Sequence, residues 1–300
     1  MATARPPAPT TRTTTGTNAP GNGAGVLSQP AFLSRDPLPV TAGRIQRDLL
    51  ALGLPPGALL ILHSSLSSLG CVPGGPQGVL DGLLATLGPE GTLVVPTHSS
   101  ENSDPSAWEN PPVPAEWWDS IRAEMPAFDP ARTPTRGMGS IPELFRTWPG
   151  VLRSQHPTCS FAARGPLAAR ITSEHALARP LGEDGPLARL YEQDAWVLLL
   201  GVGHGSNTSL HLAEHRSAQP TFEQQGSAVQ TPAGRAWVRY EVLAGEEERF
   251  PALGEAFEAS HGVALGRVGA AETRLFRQRA LVDFGVEWLS ARDSPRPSEN

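Results

Sequence analysis

The chain has 300 residues, 39% of them hydrophobic, enough for one large core or two modest ones. A formal net charge of −6 without a basic stripe argues against a nucleic-acid binder and suits a cationic ligand. No apolar run reaches the ~18 residues of a membrane span, and all 24 basic side chains are arginine, which excludes a Schiff-base or P-loop lysine.

Met1 to about Ser28 are rich in Ala, Thr, Pro and Gly and lack an apolar h-region. Residues 1–28 therefore read as a disordered tail and not as a secretion signal, which points to the cytoplasm. Residues 29–291 read as a single domain and 292–300 as a frayed end. The two cysteines, Cys71 and Cys159, are too few for a disulfide framework and read as core residues, with a cysteine nucleophile left open.

The first ordered element is an amphipathic helix, starting near Thr41, carrying Ile45, Leu49, Leu50 and Leu52, and ending at Gly53. Ala58–His63 is a buried strand that runs into a loop dense in Ser and Gly, Ser64–Gly75. Pro76 then opens a helix to about Leu87. Strand, small-residue loop and helix start together make a candidate anion cradle. Gly91–His98 is a second buried strand, which delivers Thr97 and His98 to the end where α/β sheets bind ligands.

The proline-rich stretch from Ser99 to Arg136 is long enough to be a lid or binding segment. A helix is expected over Met138–Trp148, then a loop feeding a short strand over Arg153–Gly165, and a short helix over Pro186–Glu192. Beyond Phe222 the pattern changes to antiparallel hairpins. Helices over Phe250–Ser260 and Leu281–Leu289 enclose strands over Val263–Val268 and Glu272–Phe276. The expected architecture is α/β: a central mixed sheet flanked by helices, with an additional antiparallel β portion.

The chemistry concentrates after Trp196–Leu200, an unbroken apolar run that reads as a strand buried on both faces. Gly201, Gly203 and Gly205 let the backbone turn, and Ser206 or Asn207 caps the helix that follows. His211, Glu214 and His215 stand at i, i+3 and i+4, on one face of that helix. Three readings fit. As H-x-x-E-H, two histidines hold zinc and the glutamate acts as general base of a hydrolase, although no third ligand stands out. Alternatively His211 is a general base oriented by Glu214. The plainest reading is a helix start with incidental histidines. His63, His98 and His156, at strand ends or beside a proline, read as hydrogen-bonded structural residues.

Several stretches in order resemble one family, the acetyl-CoA-dependent aminoglycoside 3-N-acetyltransferases. They are Leu62-His63-Ser64-Ser65-Leu66 with Gly70 and Gly74-Gly75, Gly88–Leu93, Pro126–Pro130, and Arg153–Pro157 with Ser160-Phe161. Gly185–Leu190, Leu199–Gly201 through Leu210-His211 and Ala213-Glu214-His215, Gly266–Gly269 and Leu281–Phe284 continue the series. The resemblance implies transfer of an acetyl group from acetyl-CoA to the 3-amine of the deoxystreptamine ring, which confers antibiotic resistance. It implies direct transfer, with His211 as base and Glu214 as its orienter.

By the same resemblance, Ser64, Ser65, Leu66, Ser67, Gly70, Val72, Gly74, Gly75, His156 and Ser160 line the coenzyme side. Thr97, His98, Asp104, Asp129, Glu183, Asp184 and Glu241 are the acceptor-side candidates. No metal is implied, and a monomer or homodimer fits. The chain has His175-Ala176-Leu177 where members often carry His-Pro-Leu, Gly185-Pro186-Leu187 where they often carry Ser-Pro-Leu, and its own version of Ser99–Glu124. These departures bear on the acceptor more than on the chemistry. The alternatives are acetylation of another amine, a zinc hydrolase using His211 and His215, and a non-enzymatic aminoglycoside binder.

Overall fold

The computed structural model describes residues 38–293; the tail expected over 1–28 lies outside them, as do residues 294–300. Three parallel strands form the middle of the molecule: β1 (Leu59–Ser64), β2 (Thr92–Pro96) and β5 (Trp196–Leu200), with β1 between the other two. Their side chains are almost all apolar because both faces are covered. Leu60, Leu62, Leu198 and Leu200 point into one core cluster, while Leu59, Ile61, Val197 and Leu199 point into the other.

Antiparallel strands complete a seven-stranded sheet of order β3-β4-β2-β1-β5-β9-β8. β3 (Leu152–Arg153) and β4 (Phe161–Arg164) lie beyond β2, and β9 (Ala271–Arg277) and β8 (Ala264–Val268) beyond β5. The chain leaves β1 toward β2 on one side and later returns to β5 on the other. The carboxyl end of β1 is therefore a topological switch point, where a crevice opens.

The first cluster is covered by α1 (Ala42–Leu52), α2 (Pro76–Leu87) and α4 (Ser140–Phe145). Helix α1 is bounded as its sequence demands. The Thr41 side chain accepts from the Arg44 N–H at 3.3 Å, and Gly53, at φ 100°, turns its N–H back to the Leu49 and Leu50 carbonyls. The second cluster lies under α5 (Ala168–Thr172), α6 (Pro186–Glu192), α7 (Leu210–Arg216), α8 (Phe250–Ser260) and α9 (Gln278–Asp293).

The additional antiparallel portion is a separate hairpin, β6 (Phe222–Thr231) with β7 (Gly234–Leu243). An isolated two-stranded hairpin is marginal in water, and this one is tied to the 99–136 segment. The Phe128 N–H donates to the Ala228 carbonyl at 3.0 Å, Arg235 to the Met125 carbonyl at 2.7 Å, and the Asp104 N–H to Gln225 Oε1 at 2.8 Å. That segment carries 3-10 turns and α3 (Trp118–Glu124), so it is docked against the hairpin along much of its length.

Helix α1 approaches α2 across Gly82, where a Cβ would meet Ile45 Cβ at 2.8 Å and the Ala42 carbonyl oxygen at 2.9 Å. The backbone side of that contact has little room to yield. We expect Gly82→Ala to destabilise the fold by about 1–3 kcal/mol through overpacking, read as a lower urea midpoint at unchanged slope. A midpoint at or above wild type would show that the two helices move apart freely.

Candidate active site

Strand β5 ends at Gly201, whose φ of 70° and contact with Ser68 (2.5 Å from a built Cβ to Ser68 Cβ) admit no side chain. The turn that follows leads into α7. Neither Ser206 nor Asn207 is the N-cap of this helix, which is Ser209 with no side-chain cap bond; Asn207 accepts from the Ser209 N–H through Oδ1 at 3.2 Å in the turn before it. On α7, the His211 Nδ1–H donates to Glu214 Oε2 at 2.7 Å. Glu214 is 7% exposed, and its Oε1 accepts from the Glu246 N–H at 2.8 Å. Gly245 passes directly over the pair, since a Cβ there would lie 3.3 Å from His211 Cε1. The Phe250 ring lies T-shaped against the imidazole, with centroids 5.0 Å apart.

The other imidazole nitrogen, Nε2, faces Glu247 Oε1 at 3.4 Å. Glu247 belongs to a 3-10 turn, Glu247–Arg249, and its side chain is 68% exposed. Burial disfavours a charge on His211, but hydrogen bonds to Glu214 and Glu247 and their negative charge outweigh it, and the ring is raised to about 9. Glu247 is correspondingly held below its ordinary value, first by its bond to His211.

His211 and Glu247 line a cavity of about 640 Å³ at the carboxyl ends of β1, β2 and β5. Its walls include Ser64–Ser67, His98, Gly137–Pro142 and Gly205–Thr208. His63 forms part of the floor, and desolvation, reinforced by the neighbouring His211, pushes it down to about 3. The same causes put His98 at about 3. The cavity thus sets two neutral imidazoles near one charged one. His63 Nε2, Ser64 Oγ and His98 Nδ1 are buried with no hydrogen-bond partner among the described residues, which marks a wall built for a polar occupant.

Of the residues assigned to the coenzyme, Ser64, Ser65, Leu66 and Ser67 reach this cavity. Gly70, Val72, Gly74 and Gly75 lie farther along the loop and shape the entry to α2; the Gly75 N–H donates to the Val72 carbonyl at 2.9 Å. His156 is fully buried and accepts at Nδ1 from the Thr158 and Cys159 N–H groups, the structural reading of that residue. Ser160 accepts from Arg153 Nε and donates to the Thr97 carbonyl.

Of the residues assigned to the acceptor, His98 lines the cavity, while Thr97 is buried and donates to the Ser160 carbonyl. The acids are committed elsewhere. Asp104 takes a forked bond from Arg122, Glu183 pairs with Arg216, Glu241 pairs with Arg179, and Asp129 caps its own turn through the Ala131 N–H. Asp184 is exposed outside the cavity. Glu247 and the Gly137–Pro142 wall were not singled out by the sequence. The only hint was three consecutive glutamates, Glu246–Glu248, which look like a solvated loop.

His211 and His215 part company. His215 packs against Gly182 and lies 5.6 Å from the Phe222 ring. Among the described residues no group of three or more His, Cys, Asp or Glu side chains is placed to hold a metal ion. Cys159 is partly buried, and desolvation pushes its thiol up to about 11.

A mixed α/β sheet with a carboxylate-oriented imidazole at its switch point defines an enzyme of the group-transfer or hydrolytic kind. Comparison with known proteins narrows this. The family model described as aminoglycoside 3-N-acetyltransferase matches residues 61–290, and the chain belongs to that family. It is 46% identical over 257 residues to the SPbeta prophage-derived aminoglycoside N(3')-acetyltransferase-like protein YokD of Bacillus subtilis, covering 85% of this chain and 94% of the relative. The YokD crystal structure superposes with a TM-score of 0.86 at 44% identity, over 90% of this chain and 98% of that one. Aminoglycoside N(3)-acetyltransferase IX of Micromonospora chalcea is 37% identical over 290 residues, with 89% and 99% covered. The structure of AAC-IIIb in a binary complex with CoASH matches at a TM-score of 0.77 and 33% identity, over 87% of this chain and all 100% of that one.

The raised His211 value carries a sign. Below about pH 6.5 both folded and unfolded states hold the proton and its stabilising effect is complete; it is lost as pH rises through about 9. Glu247→Gln removes one of the two carboxylates. We expect nitrogen-15 NMR of the imidazole to place the variant's titration clearly below that of wild type, with a smaller loss of urea stability between pH 6.5 and 9. Identical titration in both proteins would mean that Glu247 does not reach the ring.

Proposed function

We propose that the protein transfers the acetyl group of acetyl-CoA to an amine of an aminoglycoside, the 3-amine of its deoxystreptamine ring, with His211 as general base. The reading places it in the cytoplasm, where acetyl-CoA is made; no helix among the described residues is long and apolar enough to cross a membrane. The observation that carries it is one cavity wall. His211 has Nδ1 fixed by Glu214, which leaves only Nε2 to act, and that atom faces a cavity walled by Ser64–Ser67. Small hydroxyl side chains suit the polar arm of a coenzyme, and the unpartnered Ser64 Oγ fits that role. The AAC-IIIb complex with CoASH supports the choice of acyl donor.

In this scheme Glu247 guards Nε2 while the site is empty and keeps the ring protonated. An arriving polycationic acceptor offers Glu247 an ammonium partner, and the imidazole can then give up its extra proton. The neutral acceptor amine donates to His211 Nε2 as its lone pair attacks the thioester carbonyl. A carbon–nitrogen bond forms, the carbon–sulfur bond breaks, and His211 returns the proton to the departing thiolate. Fixing both reactants in one crevice supplies much of the acceleration, and proton transfer by the imidazole adds about 10²–10⁴. No acyl-enzyme is needed, and a partly buried thiol pushed up to about 11 is a poor nucleophile at neutral pH.

A second reading, acetylation of a different amine, is favoured by one observation. Glu247 is the only acid among the described residues that lines the cavity, whereas four of the five acids named for the acceptor are already paired or capping. The acceptor panel decides between them. Thiol release from acetyl-CoA should appear with deoxystreptamine aminoglycosides, and mass spectrometry should place the acetyl group on the 3-amine. Release only with simple di- or polyamines would install the second reading, and no release with any amine would defeat both. His211→Ala should lose about 10²–10⁴ in turnover while still binding CoA in calorimetry. Cys159→Ser should remain active; a folded but dead variant would return the mechanism to a covalent route.

A further inference from the structure

A cavity that brings a base to an activated thioester exposes that thioester to water as well as to an amine. At about 640 Å³ it has room for several waters, each taking about 30 Å³. Water activated at the base would attack the same carbonyl and discharge acetyl-CoA to acetate.

The base competent to do this is His211. His63 and His98 are pushed down to about 3 by desolvation and by the neighbouring His211, and imidazoles so depressed accept a proton poorly. His215, on the same helix, is pushed down to about 4, first by desolvation, and packs against Gly182, off the cavity wall. Among the described residues, the charged groups that face the His211 ring are Glu214, from its own helix, and Glu247, from the turn before α8.

The two carboxylates hold the ring differently. Glu214 meets Nδ1 at 2.7 Å, is buried, and has its other oxygen occupied by the Glu246 N–H. Glu247 meets Nε2 at 3.4 Å, with its side chain 68% exposed. That is longer than the ~2.7–2.9 Å of a tight charge-assisted bond. The backbone beneath it is nevertheless anchored. Glu246, one residue before, is held through its N–H to Glu214, and its carboxylate accepts from Arg249 at 2.5 Å. Glu247 is a free head on a fixed stem. While it rests on the protonated ring, Nε2 has no lone pair to offer water.

We propose that the Glu247–His211 contact is a latch that suppresses a latent acetyl-CoA hydrolase activity of the same cavity, and that the cationic acceptor opens it in turnover. The proposal rests on acetyl-CoA being the donor and adds how the donor is protected while no amine is bound. With the latch open and no amine present, water donates a proton to Nε2 as its oxygen attacks the thioester carbonyl. A carbon–oxygen bond forms, the carbon–sulfur bond breaks, and the ring returns the proton to the thiolate, leaving acetic acid and CoA. An ammonium that draws Glu247 away releases the base only when the intended nucleophile has arrived.

The test is thiol release from acetyl-CoA without acceptor, less the buffer background, from neutral pH to above the ring's titration at about 9. Wild type, Glu247→Gln, Glu248→Gln and the double variant Glu247→Gln/His211→Ala are compared. Wild-type hydrolysis should climb with pH and level off above about 9. Each unit by which Glu247→Gln lowers the ring's titration raises its neutral fraction at neutral pH about tenfold, and hydrolysis there should rise with it. Glu248→Gln, which removes an exposed charge one residue along, should match wild type, and the double variant should fall to background. Hydrolysis by Glu247→Gln no faster than wild type at neutral pH, or retained in the double variant, would overturn the proposal. A flat wild-type profile would overturn it with no variant needed, and acetyl transfer to aminoglycosides would still stand on its own assay. Failure of wild type to bind CoA in calorimetry would overturn both.

Discussion

The Glu214 carboxylate is the constraint on which the site depends. One oxygen takes the His211 proton at Nδ1 and the other takes the Glu246 N–H, so a single buried group joins helix α7 to the loop that follows the β6–β7 hairpin. This fixes which imidazole nitrogen is free, and it also fixes where Glu247, one residue along, presents its own carboxylate. A buried acid is costly unless its lone pairs are used, and here both oxygens are. The same bond that orients the imidazole thus assembles the far wall of the cavity.

The sheet explains why that assembly occurs at one edge. Continuous apolar runs in β1, β2 and β5 have to be covered on both faces, which forces helices above and below and leaves only the strand ends for polar chemistry. Chain direction then places His63 and Ser64 at the end of β1, His98 just past β2, and the glycine turn past β5 together. Other histidines, one buried and one half-buried, serve the scaffold. His204 lies against Gly254, stacks on Phe276 and pairs with Glu258; His175 bridges Ser154 and the Pro180 carbonyl.

Much of the fold was legible because local signals agreed. A proline at the first helical position marked α2 and α6 at the residues where they stand, and the apolar runs marked the central strands. Helix α4 is shorter than the Met138–Trp148 stretch suggested, since Gly137 and Gly139 hold φ of 70° and 86° and delay its start. Helix α9 extends at both ends of Leu281–Leu289, reaching Asp293, because its flanks are polar residues that an apolar-period argument does not count. In the site, the i, i+3 spacing was sufficient to put His211 and Glu214 in reach of each other. Glu247 was hidden because its partner is remote in sequence. The proposed acceptor acids looked available only because a sequence does not show which arginine sits opposite.

The complete reliance on arginine has a chemical corollary. Every one of the chain's 24 basic side chains is a guanidinium, and several are held flat against carboxylates or aromatic rings, as Arg277 lies 3.9 Å over the Trp196 ring. Guanidinium stays protonated at any physiological pH and has no lone pair to offer an electrophile. A catalyst that handles a reactive thioester therefore exposes no lysine ε-amine of its own to it, and is shielded from chemical self-modification at every cationic side chain.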